Sequence, residues 1–376
     1  MEELIQLRKE LHKFPEISGK EEETANRILL FLSKYPPTEI ITKLGGKGIL
    51  AIYKGKSEGK CLLFRCELDA LPIEEINSFP YKSTFEGVSH KCGHDGHMAI
   101  LCGLAKTFHE NPIEKGIVML LFQPSEEDGN GAKRVINDSN FQNIKPDFAF
   151  ALHNIPGYKK HQIIIKENTF TCAVNSIIIQ LHGKTSHAGE PENGINPALA
   201  IAEIIQVFNS KINTNLESET YCLITPIHIK MGEKAYGVSA GHGEVHYTIR
   251  SNSNAQMKKM ESDLEKIAEE IASKYKLKTE ISWTQSFQAN ENNSDAVNYI
   301  RKATSIQNYE ILEKELPFTF GEDFGIFTQH FKGAMLGLGS GKNTAALHNP
   351  DYDFPDEIIE TGINLFHQIF KEILNA

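Results

Sequence analysis

Apolar positions recur along the chain at two spacings. Leu4, Leu7 and Leu11 stand at helical intervals in residues 2–14, and Pro15 ends the run. A second helix is predicted over residues 21–33. Short, continuously apolar runs follow at 48–53 and 61–66. Behind Gly96, the positions Ala99, Leu101, Leu104, Ala105 and Phe108 predict a helix, and apolar runs return at 116–122 and 148–152. All-apolar strands alternating with helices predict an α/β fold, a mostly parallel sheet with helices on both faces.

From about residue 173 the pattern changes. A strand at 175–182 leads to a helix at 196–212 with Pro197 in its first turn. Strands at 221–230 and 244–250 come next, then an amphipathic helix at 255–275 with Met257, Met260, Leu264, Ile267 and Ile271 on one face, and a closing strand at 278–284. The order β-α-β-β-α-β is that of the ferredoxin-like unit. Alternation then resumes with a helix near 295–305, an apolar run at 334–338 and a last helix at 355–374. The expected division is a main domain of residues 1–172 and 285–376 with an inserted domain of 173–284. An exposed strand edge in the insert predicts a homodimer, because such edges tend to be covered. The length of 376 residues accommodates two domains.

Charge and composition narrow the function classes. The net charge of −10 argues against nucleic acid as a partner, which calls for clustered Lys and Arg. The start MEELIQLRKE has no basic segment ahead of an apolar stretch, so no signal peptide is expected. The longest apolar run, 117–122, suits a buried strand and is far short of the ~20 residues of a membrane span. Cysteines 61, 66, 92, 102, 172 and 222 form no CxxC pair and are expected to be reduced. These features predict a cytoplasmic protein with no membrane association.

Several polar clusters directly follow apolar runs. CLLFR leads into Cys66-Glu67-Leu68-Asp69, IVMLLFQ into Pro124-Ser125-Glu126-Glu127, FAFAL into His153, and AMLGLG runs on towards His348. In parallel sheets, sites form beyond the carboxyl ends of the strands, so these groups are candidates for one convergent site. The segment His90-Lys91-Cys92-Gly93-His94-Asp95-Gly96-His97 is the densest. Its Cys92 and His94, on a loop flanked by glycines, suit zinc or a similar ion. Glu126 and Glu127 can divide the work: on an extended stretch they face opposite ways, one to bind metal and the other to act as general base. Taken singly, each element has a plainer reading. The Glu pair reads as a solvated turn, His153 and His348 as packed histidines, and residues 90–97 as a polar loop opening a helix. Cys92 also admits a nucleophilic role.

Taken together the motifs are specific. LRKELHKFPE, FRCELDALP, HKCGHDGHMA, LLFQPSEEDGNGA, ALHNIPG, GKTSHAGEPENGINP, GEDF and LHNP run along nearly the whole chain. The sequence resembles the amidohydrolase branch of the aminoacylase/carboxypeptidase metallopeptidase superfamily, which includes N-acetyldiaminopimelate deacetylase, hippurate hydrolase and auxin-conjugate hydrolases. The resemblance implies two divalent ions per subunit, Zn or Mn with Co or Ni as further options, held by Cys92, His94, Glu127, His153 and His348. It implies Glu126 as general base and acid, Asp69 as a carboxylate orienting a ligand imidazole, His187 at the substrate carbonyl, and Arg250 at the substrate carboxylate. The implied substrate is a small N-acyl amino acid, and the insert is implied to be a lid and dimerisation domain. An aminopeptidase or dipeptidase of the same fold and a non-catalytic relative are the alternatives. Departures from the family pattern fall at Glu67, where Asp is usual, at residues 236–240, and at Glu192, where His is common; all bear on substrate fit. Glu322-Asp323-Phe324 match a family motif without a role legible from sequence. His12, His109, His161, His182, His228 and His367 have no motif context, and Trp283 reads as packing.

Overall fold

The computed structural model describes residues 1–374. The chain forms two compact units. One comprises Met1–Phe170, Asn290–Glu315 and the chain from Glu322 on; the other comprises Thr171–Ala289 and Leu316–Gly321.

The first unit is built on an eight-stranded sheet. Its strands in chain order are β1 (Glu39–Leu44), β2 (Gly48–Lys54), β3 (Ser57–Glu67), β4 (Lys115–Gln123), β5 (Phe148–Pro156), β6 (Ile163–Ile165), β7 (Ile311–Glu313) and β8 (Gly333–Gly341). They lie side by side as β1-β2-β4-β3-β5-β8-β6-β7. The four central strands β4, β3, β5 and β8 run parallel, while β2 and β6 flank them antiparallel. The central strands read as unbroken apolar runs because both faces are covered. Leu62, Phe64, Leu120 and Phe150 join the main core, and Leu63, Met119, Leu121 and Ala149 point the other way and are equally buried. Helices α1 (Glu2–Lys13), α2 (Glu22–Lys34), α3 (His94–Glu110), the helix Ser294–Ile306 and the C-terminal helix Ile359–Leu374 supply most of the rest of that core. Phe64 sits at its centre, 4.8 Å from Phe366 and 5.7 Å from Phe150 between ring centroids.

Two boundaries differ from the sequence expectation in ways that matter. The helix expected after Gly96 begins at His94, because Gly93 takes φ +93 and turns the chain directly into the first helical turn. The strand expected to stop before His153 continues to Pro156, because β8 pairs with it along that whole length. The short strands β1, β6 and β7 have no counterpart among the expected elements.

The second unit has a four-stranded antiparallel sheet in the order Leu223–Met231, His242–Ser251, Ala173–His182, Lys278–Phe287. Alternate residues Ile177, Ile179, Leu181, Val245, Tyr247 and Ile249 are buried in one core with Ile204 and Phe208 of helix Ala198–Ser210 and Leu264 and Ala268 of helix Asn254–Lys274. Ser253 starts the longer helix by accepting a hydrogen bond from Gln256 N at 3.1 Å. Trp283 packs at the margin of this core, and its Nε1 donates to Glu265 at 2.6 Å. Cysteines 61, 66, 92, 102, 172 and 222 are free thiols in the structure. Among the described residues no helix is long and apolar enough to cross a membrane.

Replacing Phe64 with Ala should lower unfolding free energy by about 3–5 kcal/mol through lost burial and a cavity beside the rings of Phe150 and Phe366. Denaturant unfolding of the variant should show a lower midpoint at an unchanged slope.

Candidate metal centre

The parallel strands deliver their carboxyl ends to one edge of the first unit, and the predicted donors gather there. Asp69 follows β3, and Cys92 precedes Gly93 at the head of α3, where His94 is the first helical residue. At Gly93 a Cβ would stand 2.6 Å from the Asn154 side chain, so glycine is required for close approach as well as for its φ. Glu126 and Glu127 lie in the turn after β4. Ser125 enters that turn at φ +56 and is anchored by Glu21, whose Oε1 accepts from Ser125 N at 2.8 Å. His153 lies within β5, and His348 follows β8 with φ +66 and a half-exposed side chain.

These side chains form overlapping groups. One ligand atom each from Cys92, His94 and His153 lie within 4.8 Å of one another, as do those of Cys92, Glu127 and His348, and those of His94, Glu126 and Glu127. Cys92 Sγ is 3.4 Å from His153 Nε2. His94 Nε2 is 3.8 Å from Glu127 Oε1 and 4.0 Å from Glu126 Oε2, and His348 Nε2 is 3.9 Å from Glu127 Oε1. Backbone carbonyls fix the two buried imidazoles: His94 Nδ1 donates to Asp69 O at 2.8 Å and His153 Nδ1 to Asn154 O at 2.9 Å. In both rings the Nε2 lone pair is thereby turned towards the cluster.

Two geometric expectations are corrected. Glu126 and Glu127 do not point to opposite sides; the turn at Ser125 breaks the extended alternation, and both carboxylates come within 4.0 Å of His94 Nε2. The two differ in their neighbours instead. Glu126 Oε1 accepts from Asp323 N at 3.3 Å, whereas Glu127 faces Cys92 and His348. Asp69 holds the His94 imidazole through its main-chain oxygen; its carboxylate Oδ2 accepts from Ser18 Oγ at 2.7 Å and Glu127 N at 2.9 Å. It thus ties the Glu turn to the strand end.

Sequence reasoning missed the layer beneath. Arg65, fully inside β3, bonds Glu67, Asp323 (2.5 Å), Glu322 (3.0 Å) and Gln123 (2.9 Å). Asp323 also accepts from Ala132 N and Gln123 Nε2, which locks the Glu322-Asp323 segment against the end of β4. Glu67 accepts from His97 Nδ1 at 2.6 Å, and His97 Nε2 lies 2.6 Å from Asn154 Oδ1. The extra methylene at Glu67 lets one carboxylate reach both Arg65 and His97. The HDGH spacing was the one signal for His97, which lies on the same helical turn as His94.

The edge is short of positive charge. Arg65 pairs with Glu67, Glu322 and Asp323, and among the described residues no Lys or Arg pairs with Asp69, Glu126 or Glu127. Burial, with Glu322 and Glu127 nearby, pushes the Glu126 carboxyl well up, and burial pushes Glu127 up to about 7 even beside His94. Burial opposes the His94 imidazolium, but Glu67, Glu127 and Asp69 outweigh it and raise that ring. Burial lowers His153 to about 3, leaving it neutral and able to act as a ligand. Burial and Glu127 raise the Cys92 thiol, the opposite of what an activated thiol nucleophile needs. His94 Nε2 and Glu127 Oε1 are buried without a hydrogen-bond partner. Their 3.8 Å separation is too long for a hydrogen bond and suits two ligands of one cation at ~2.0–2.2 Å bonds. Donor types, orphaned lone pairs and surplus negative charge therefore all fit divalent ions.

His187 and Arg250 belong to the second unit. His187 is exposed on a two-residue strand paired with Val238–Ser239, and its Nδ1 accepts from Gly189 N at 3.0 Å. Arg250 is half-buried, with Nη1 donating to Thr319 O at 2.7 Å. Glu192 lies in the short turn of 3-10 helix Pro191–Asn193.

Comparison with known proteins agrees with this geometry. The profile of peptidase family M20/M25/M40 matches residues 63–372. The chain belongs to this family. It is 30% identical to an N-acetyldiaminopimelate deacetylase of Lactobacillus helveticus over 96% of this chain and 95% of the relative. It is 28% identical to an N-acetylcysteine deacetylase of Bacillus subtilis over 99% and 97%. Among solved structures, a Bacillus subtilis protein described as a dinuclear metal-binding peptidase of the M20 family superposes with a TM-score of 0.84 at 26% identity, covering 100% of this chain and 98% of that one. A putative aminohydrolase from methicillin-resistant Staphylococcus aureus shares the fold with a TM-score of 0.89 at 22% identity, over 99% and 96%. The mostly parallel sheet expected from the sequence is the M20 fold.

Replacing Arg65 with Met should strand three buried carboxylates and cost about 3–5 kcal/mol. Chemical denaturation of the metal-depleted variant measures this, and an unchanged midpoint would show that Arg65 is not what neutralises the cluster.

Proposed function

We propose that this M20-family chain is a metal-dependent amidohydrolase that cleaves the amide bond of N-acyl amino acids, with Cys92, His94, Glu127, His153 and His348 holding two divalent cations, Zn or Mn. The supporting observation is the buried, unpartnered pair His94 Nε2 and Glu127 Oε1 within a shell of Cys, His and Glu donors at one sheet edge. Bound there, such ions polarise a carbonyl and lower the pKa of water towards neutrality.

The residues of the chain supply the proton transfers and the orientation. Glu126 accepts the proton of the attacking water and returns it to the amine nitrogen as the carbon–nitrogen bond breaks. Burial and the carboxylates Glu322, Glu127 and Asp323 raise its proton affinity, and the positive charge of cations bound beside it would lower that affinity again and leave it free to accept a proton. Asp69 anchors the turn that carries both glutamates and, through its carbonyl, the imidazole of His94. In this reading His187 donates to the developing oxyanion and Arg250 binds the substrate carboxylate, its Nη1 on Thr319 O holding the guanidinium in place. The β-α-β-β-α-β insert acts as a ferredoxin-like lid and dimerisation domain. Its edge strand Leu223–Met231 exposes Ile227, Ile229 and Met231, a surface suited to the same strand of a second copy. We place the enzyme in the cytoplasm.

A panel of N-acetyl and other N-acyl amino acids tests the proposal on metal-depleted and metal-restored protein. Amine release should vanish on chelation and return with Zn or Mn. Cleavage of dipeptides with no release from any N-acyl amino acid would instead identify a peptidase. Glu126→Gln should keep both metals by elemental analysis and lose roughly 10²–10⁴-fold in kcat; near-parental turnover would reject the base assignment. His187→Ala should lower kcat with metal content unchanged.

A further inference from the structure

A second cluster of buried charge lies behind the donor loop of the first unit. α1 sends Arg8 and His12 inward, both almost fully buried. His12 Nδ1 is 2.9 Å from Asp95 Oδ2, and its Nε2 is 3.0 Å from Glu75 Oε1. Arg8 reaches Asp95, and also Asp353 and Asp356 in the segment that follows His348. The series ends at Lys91, which is fully buried and donates from Nζ to Glu75 Oε1 at 2.5 Å and to the Tyr352 carbonyl at 2.8 Å. Burying an ammonium is costly unless it is well paired, so this side chain is held firmly in one place.

Lys91 stands where two donor segments meet. It directly precedes Cys92, and its own carbonyl accepts the His348 N–H at 2.8 Å. Among the described residues that is the one hydrogen bond His348 makes. His348 is otherwise poorly determined by its surroundings. Its φ of +66 is uncommon for a residue with a side chain, and the ring is 53% exposed. The other four donors lie on a strand, a helix start or an anchored turn.

We propose that Lys91 is a positioning residue: by pinning its own main chain and the Tyr352 segment with one buried ammonium, it seats His348 against Cys92 and Glu127 and so sets the affinity of the cation those three side chains share. This rests on the reading of Cys92, Glu127 and His348 as ligands. Lys91 touches none of the reacting groups, and its effect passes through His348.

The test is metal binding by the full-length, metal-depleted chain, using Zn and Mn separately, followed by calorimetric titration and by counting bound metal. The parent should bind two equivalents and His348→Ala one. Lys91→Met should retain one equivalent at parental affinity and weaken the other by about 10-fold or more. In the His348→Ala background, Lys91→Met should cause no further loss. Glu75→Gln preserves volume and should shift the same equivalent in the same direction by a smaller factor, which keeps the test open if Lys91→Met does not fold. Two parental-affinity equivalents in Lys91→Met or Glu75→Gln, equal loss of both equivalents, or additivity with His348→Ala would overturn the positioning role. Two equivalents retained by His348→Ala alone would overturn the ligand reading, and the proposal with it.

Discussion

Uncompensated negative charge at the carboxyl edge of the central strands governs the first unit. Six carboxylates, Glu67, Asp69, Glu126, Glu127, Glu322 and Asp323, converge there, and Arg65 is the one buried guanidinium among them. A parallel sheet makes such crowding possible, since strands distant in sequence finish side by side. Crowding of this kind is expensive without cations. The structure meets part of the cost with Arg65 and with main-chain N–H groups from Glu127, Ala132 and Asp323. The remainder shows as elevated proton affinity at Glu126 and Glu127 and as lone pairs with nothing to bind. Metal affinity and proton-carrying capacity are thus two expressions of the same electrostatic deficit.

Much of this was legible in the sequence, for definable reasons. The central strands announced themselves because burial on both faces demands continuous apolar residues. Most donors did so because they stand at or just beyond the end of an apolar run or open α3, although His153 proved to lie inside β5 and His348 lies seven residues beyond β8. Boundaries that depend on a single backbone angle or on a distant partner were not legible: Gly93 moves the start of α3, and pairing with β8 lengthens β5. Strands of three residues such as β6 and β7 carry too little pattern to be seen. The supporting charges were invisible for a different reason. Arg8, His12, Arg65, Glu75 and Lys91 look in a sequence like surface residues, and only the fold shows that each meets its counter-charge inside. The opposed orientation expected for Glu126 and Glu127 failed because a positive φ at Ser125 was not foreseeable from a serine.

The order in which the sheet is assembled carries a cost during synthesis. β5 has β3 on one side and β8 on the other, and β8 lies beyond the whole of Thr171–Ala289 in the chain. A ribosome therefore releases β3, β4 and β5 long before the strand that completes them. Until Gly333–Gly341 emerges, β5 offers neighbouring chains an apolar, unpaired edge at the centre of the nascent sheet. A chaperone that covers the first 170 residues until that strand arrives would shield the edge.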